Sequence, residues 1–178
     1  MAIRACIPFG LVTASALMLA LLGGCATPAG PQAVAELKPT TGNSASGSVR
    51  FVQAGSAVKV SGEIRGLKPN AEHGFHVHEK GDCSSGDGMS TGGHFNPDAK
   101  PHGQHGPGAH HVGDLPSLKA NASGVAAFSF ESNSIRVGAG MNDVVGRGLI
   151  VHRDPDDYKT QPTGNAGPRL ACAVIVKS

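Results

Sequence analysis

The chain has 178 residues, of which 39% are hydrophobic and 16% charged, and its net charge of +2 is spread along the whole length. That size suits one globular domain with a core of its own and argues against a second. The charge forms no basic block and no patch interleaved with aromatics, which excludes nucleic acid as an expected partner. Tryptophan is absent and there is one Tyr, while Gly reaches 26 and Pro 12. Such a composition calls for many turns and long loops, as in an all-β protein. The nine histidines are the anomaly.

Taken in chain order, residues 1–25 read as an export signal: Arg4 supplies the positive start, and Ile7 to Leu22 is a mostly apolar, uncharged run. The run is short for a membrane-spanning helix, which takes roughly 20 apolar residues. It ends in Leu22-Gly23-Gly24-Cys25, which resembles the bacterial lipobox. The resemblance implies cleavage before Cys25 and lipid on its sulfur and new amino group, making a membrane a partner through an N-terminal anchor. A plain secretory signal with an incidental Cys25 is the alternative. Residues 26–46, rich in Pro, Ala, Thr and Gly without sustained periodicity, read as a flexible spacer.

The folded domain is expected over residues 47–178. Val49 and Phe51 begin one strand, and Val58, Val60 and Ile64 alternate with Lys59, Ser61, Glu63 and Arg65 in a second. His73 to Glu79, Val125 to Glu131, Val144 to His152 and Leu170 to Val176 have the same character, separated by turn sequences such as Lys68-Pro69-Asn70. No segment carries the pattern of a helix of ordinary length. Antiparallel strands with long connections predict a sandwich or flattened Greek-key barrel whose loops carry the function.

Six histidines and one aspartate could build a two-metal site: His76, His78, His94, His102, His111, Asp114 and His152. His76 and His78 stand two apart on a predicted strand, so both imidazoles project from one face while Phe75 and Val77 take the other. Imidazole suits copper and zinc. His102, His111 and Asp114 lie in a Gly- and Pro-rich loop able to wrap a cation, and nitrogen with carboxylate fits tetrahedral zinc.

The segments GFHVHE (74–79), GGHFNP (92–97), HVGDL (111–115), VH (151–152) and GNAGPRLACAVI (164–175) resemble, in order, the signature segments of the copper/zinc superoxide dismutases. The resemblance implies an eight-stranded flattened Greek-key barrel or sandwich, and superoxide as substrate, converted to oxygen and hydrogen peroxide. It implies copper on His76, His78, His94 and His152, and zinc on His94, His102, His111 and Asp114, with His94 bridging the two and carrying a proton when copper is reduced. Arg169 becomes the residue that holds the anion beside copper. Asp156, in DPDD at 154–157, becomes the carboxylate joining a copper ligand to a zinc ligand, with Asp157 as competitor. His102, His105, His110 and His111 crowd into ten residues and could exchange roles; the resemblance favours His102 and His111 and leaves His105 and His110 as loop histidines.

With Cys6 removed and Cys25 lipidated, Cys83 and Cys172 are the thiols left in the domain, and the resemblance implies that they form a disulfide, as an oxidising compartment permits. The stretch from His152 to Arg169 departs from the family in being shorter than in eukaryotic members, with Pro162 where a steering lysine often stands; Lys159 or Arg153 is the substitute considered. Ala26 after Cys25 points to an outer-membrane anchor facing the periplasm. Rival readings are a noncatalytic copper- and zinc-binding envelope lipoprotein and an interaction module that merely collects zinc. Oligomeric state, a homodimer included, is not written in these motifs.

Overall fold

The computed structural model describes residues 30–178. The expected export signal and the expected lipidation site at Cys25 lie outside the described residues. The chain folds into strands β1 (Gln32–Pro39), β2 (Ser46–Ala54), β3 (Ala57–Arg65), β4 (Glu72–His73), β5 (Phe75–His78), β6 (Leu118–Lys119), β7 (Ala126–Ser132), β8 (Gly148–His152), β9 (Arg169–Val174) and β10 (Val176–Lys177). A 3-10 turn at Met89–Thr91 is the one helical segment among the described residues. Eight strands form a single antiparallel sheet in the order β5-β8-β9-β1-β2-β3-β7, with β10 also paired to β1; β4 and β6 form a separate two-stranded piece.

The sheet curls on itself. Phe75 on β5, at one end of the strand order, meets Phe128 on β7, at the other, with ring centroids 5.4 Å apart in an edge-to-face arrangement. Gly62, opposite Phe128 across β3 and β7, makes room for that ring, since a Cβ there would stand 3.1 Å from it. Val49, Phe51, Val58, Val60, Ile64, Phe75, Val77, Leu149, Val151 and Ile175 fill the interior and are fully buried.

The expected spacer at 26–46 is overturned where the structure describes it. Gln32–Pro39 is a strand inside the sheet, pairing with β2 through Ala33–Phe51 and Ala35–Val49 and with β9 through Lys38–Cys172. Ala33, Ala35 and Leu37 alternate as buried positions, so the period of two is present. Its apolar side is made mostly of alanine, too small to register as a hydrophobic strand. The folded domain therefore includes β1 and does not begin at residue 47. Thr40 and Thr41 continue from it under backbone bonds to Leu170 and Gly86.

Other strand limits shift at glycines. The segment from His73 breaks at Gly74, where β4 turns to β6 and β5 to β8; a Cβ on Gly74 would lie 2.8 Å from that of Ala166. β8 starts at Gly148, not Val144, because the chain turns at Gly146, whose φ is 81°.

Candidate metal centre

β5 and β8 supply the first part of the site. Their register places His76 opposite Ile150 and His78 opposite Gly148, so His76, His78 and His152 lie on the sheet face turned away from Phe75, Val77, Leu149 and Val151. Loops cover that face and bury all three imidazoles. His94 reaches them from the loop after β5, held by a bridge between His78 and His94. The ligand-capable atoms of His76, His78, His94 and His152 form one group, and those of His94, His102, His111 and Asp114 form a second; within each group they lie within 4.8 Å of one another. His94 belongs to both.

The hydrogen bonds say which nitrogen of each ring is free. His76 Nε2 is 2.8 Å from Asp156 Oδ2, and His102 Nε2 is 2.9 Å from Asp156 Oδ1, so one buried carboxylate accepts from a histidine of each group. His78 Nδ1 donates to the Gly92 carbonyl at 2.9 Å and His152 Nδ1 to that of Gly167 at 3.1 Å. These bonds turn His76 Nδ1, His78 Nε2 and His152 Nε2 inward, the last two 3.4 Å apart. His94 Nδ1 lies 2.8 Å from Asp114 Oδ1 and 3.3 Å from His111 Nδ1. Asp114 Oδ2 accepts from the His111 and Gly103 backbone N–H groups.

His76 Nδ1, His94 Nε2 and His102 Nδ1 are buried with no hydrogen-bond partner. His102 Nδ1 is 3.0 Å from Asp114 Oδ2 without hydrogen-bond alignment, so both atoms face a common point between them and their neighbours. Orphaned buried nitrogens cost roughly 1–3 kcal/mol each, and a cation bound to them would remove that cost. A set of four imidazoles suits copper, and three imidazoles with a carboxylate suit zinc. The residues present fit both ions.

Burial pushes His94 down to about 4, against the opposing pull of Asp114, and pushes His78 and His152 well below the ordinary imidazole value, with the neighbouring histidines and Arg169 adding to the effect. Burial also works against a charge on His102, but Asp114 and Asp156 outweigh it and raise the ring to about 9. Despite burial, the surrounding histidines hold Asp114 and Asp156 well below the usual carboxylate range. His78, His94 and His152 thus present neutral nitrogens at pH 7, whereas His102 must release a proton to ligate.

An open cavity of about 270 Å³ reaches His78 and His152 and is lined also by Arg169, Met89 and Thr163. The Arg169 guanidinium is fixed by bonds from Nη1 to the Gly88 carbonyl and to Thr91 Oγ1 (2.7 Å), and from Nη2 to the Gly92 carbonyl (2.7 Å). Of its five N–H donors, two remain for a small anion. Lys159 and Arg153, considered as steering cations, are not among the cavity-lining residues, and Arg153 pairs with its neighbour Asp154 at 2.9 Å.

Asp156, not Asp157, joins the two groups; Asp157 caps a turn through Lys159, Thr160 and the Thr160 hydroxyl. His105 and His110 stand outside both groups. Cys83 and Cys172 are joined in a disulfide that spans 89 residues. Sequence reasoning missed the three acceptors of Arg169 and the part played by Gly164. At Gly164, with φ 64°, a Cβ would overlap an Asp156 carboxylate oxygen and lie 2.5 Å from His102 Nε2, so only glycine lets the loop close over that pair. A glycine beside a metal motif was the only available signal, and it does not say what the glycine approaches.

Fold and site together define an all-β protein with two adjacent groups of buried, ligand-capable side chains that share one imidazole. A family model described as copper/zinc superoxide dismutase matches residues 45–175. Superoxide dismutase [Cu-Zn] of Saccharomyces cerevisiae is 45% identical over 152 residues, covering 81% of this chain and 96% of its own. Superoxide dismutase [Cu-Zn] of Paramecium bursaria Chlorella virus 1 is 45% identical over 135 residues, covering 72% and 71%. The crystal structure of the clock protein EA4 superposes with a TM-score of 0.74 at 39% identity, covering 82% of this chain and 93% of its own. The chain belongs to the copper/zinc superoxide dismutase family.

Proposed function

We propose that the chain is a superoxide dismutase that holds copper on His76 Nδ1, His78, His94 and His152 Nε2, and zinc on His94, His102 and His111 Nδ1 with Asp114. The observation that carries the assignment is His94, which belongs to both groups: its Nδ1 faces Asp114 and His111, and its Nε2 is buried without a partner and free for the group with His76, His78 and His152. When bound, copper supplies the one-electron couple that oxidises one superoxide to O2 and reduces a second, with two protons, to hydrogen peroxide, and zinc supplies fixed positive charge.

The protein's own residues do the rest. Arg169 keeps its charge at any physiological pH and, pinned by three acceptors, offers its remaining donors to a monoanion at the cavity that reaches His78 and His152. The Gly92 and Gly167 carbonyls hold His78 and His152 with Nε2 inward. Asp156 holds His76 and His102 in the complementary tautomer. His94 Nε2 is the buried nitrogen placed to hold a proton for the product.

The test is superoxide decay by pulse radiolysis with metal analysis, comparing wild type with His152→Ala. Fast copper-dependent decay lost in the variant supports the proposal; an inactive copper- and zinc-loaded wild type replaces it with a metal-binding role.

We further propose that the protein is exported and anchored through lipid on Cys25, in a bacterial envelope and facing the periplasm. The Leu22-Gly23-Gly24-Cys25 ending supports this, as does a Cys83–Cys172 disulfide suited to an oxidising compartment. Radiolabelled palmitate incorporated by wild type and by Cys25→Ala alike would refute the anchor.

A further inference from the structure

His105 and His110 are a feature of the loop that the two metal groups leave unused. Between His102 and His111 the chain reads Gly103-Gln104-His105-Gly106-Pro107-Gly108-Ala109-His110 and forms neither helix nor strand. Three glycines in such a stretch leave the backbone much freedom to lose. The ligands His111 and Asp114 nevertheless sit on a tight turn, closed by the Asp114 N–H on the His111 carbonyl at 3.1 Å.

Both extra histidines grip that turn by its main chain. His110 Nδ1 is 2.6 Å from the His111 carbonyl oxygen, and His105 Nδ1 is 3.0 Å from that of Asp114. A carbonyl only accepts, so each Nδ1 carries the hydrogen. With Nδ1 engaged, neither ring offers that nitrogen to a metal. Their other contacts run to β7 and the bend just after it: His110 Nε2 lies 3.3 Å from Ser134 Oγ, two residues past the strand, and the His105 ring stands edge-on to Phe130 at 6.1 Å. The two ring centroids are 5.3 Å apart.

We infer that His105 and His110 are positioning residues that clamp the zinc-ligand turn to the barrel, each through an Nδ1–H bond to the carbonyl of a ligand residue. The clamp rests on the zinc assignment made above. It fixes the peptide planes on which the His111 and Asp114 side chains are carried, and so keeps the donor atoms together between binding events. Partners of this kind, one bond removed from a ligand, typically change metal affinity by about 10- to 100-fold.

The experiment measures zinc release from the metal-loaded protein into excess 4-(2-pyridylazo)resorcinol. It compares wild type, His105→Leu, His110→Leu and the double variant with His105→Asn and His110→Asn, because an Asn amide N–H occupies nearly the place of a His Nδ1–H. Expected are zinc release about 10-fold faster in the leucine variants, near wild-type release in the asparagine variants, and unchanged copper release in all. Unchanged zinc release in the double leucine variant overturns the clamp. So does an asparagine variant no better than leucine, or a loss shared equally by copper that follows a lower unfolding midpoint of the metal-free protein. Wild type that takes up no zinc would instead refute the zinc assignment itself.

Discussion

Replacing both Cys83 and Cys172 by Ala tests the largest single constraint in the fold. The bond joins residues 89 apart, tying the loop after β5 to β9 beside β1. In the chain-entropy treatment, closing a loop of that length removes about 4.6 kcal/mol of denatured-state freedom at 25 °C. With a urea slope of about 2 kcal/mol/M, the midpoint should fall by about 2 M at unchanged slope. Far-UV circular dichroism of the metal-free protein reads this without any contribution from metal binding. The same loop carries Gly88, Thr91 and Gly92, the acceptors that fix Arg169. Activity of the metal-loaded variant should therefore fall several-fold, but not to nothing, because Gly86 remains bonded to Thr41 and Thr40 to the Arg169 carbonyl. A midpoint within about 0.3 M of the parent at the same slope would refute the entropic argument; a full midpoint shift with unchanged activity would refute the link to Arg169.

Asp156→Leu removes the acceptor shared by His76 and His102, and zinc affinity measured by chelator competition should drop about 10- to 100-fold; Asp156→Asn, which offers one carbonyl oxygen for two N–H donors, should fall between. Gly164→Ala drives a methyl group into the same carboxylate at a φ of 64°, so it should repeat the zinc defect of Asp156→Leu and also cost about 1 kcal/mol in urea titrations; normal zinc affinity would show that the loop yields. The metal-free protein should be most stable near pH 6.5. The raised His102 contributes stability that is complete below the ordinary imidazole value and is lost as pH rises through about 9, whereas His94, lowered to about 4, destabilises as pH falls below 6.5 because the unfolded chain takes up the proton first. Denaturation midpoints across pH 5 to 10 that climb steadily with pH would contradict the His102 assignment. Zinc uptake at pH 7.5 should release about one proton per ion, from His102, and none above about pH 10, as read with a pH indicator in weak buffer.

Much of the centre is legible in the sequence because it is encoded locally. Two histidines two apart on a strand share a face whatever the strand pairs with, and that follows from the period of the pleat alone. Alternating apolar positions likewise announce β3 and β7. β1 was hidden because its inward positions are Ala33 and Ala35; their burial depends on strands β2 and β9, which lie elsewhere in the chain.

What the sequence determined by itself was the all-β class, the set of candidate donors and the two cysteines able to pair. Tertiary structure decided among donors that look alike in sequence. His102 and His111 point their nitrogens into the group with His94 and Asp114, whereas His105 and His110 turn Nδ1 to main-chain carbonyls. Asp156 reaches His76 across 80 residues and His102 across 54, while Asp157 next to it only caps a turn. Spacing along a chain specifies which side chains can share a face over a few residues. Which nitrogen is left free for a metal depends on what the other nitrogen of the same ring bonds to, and those partners are brought up only when distant segments pack.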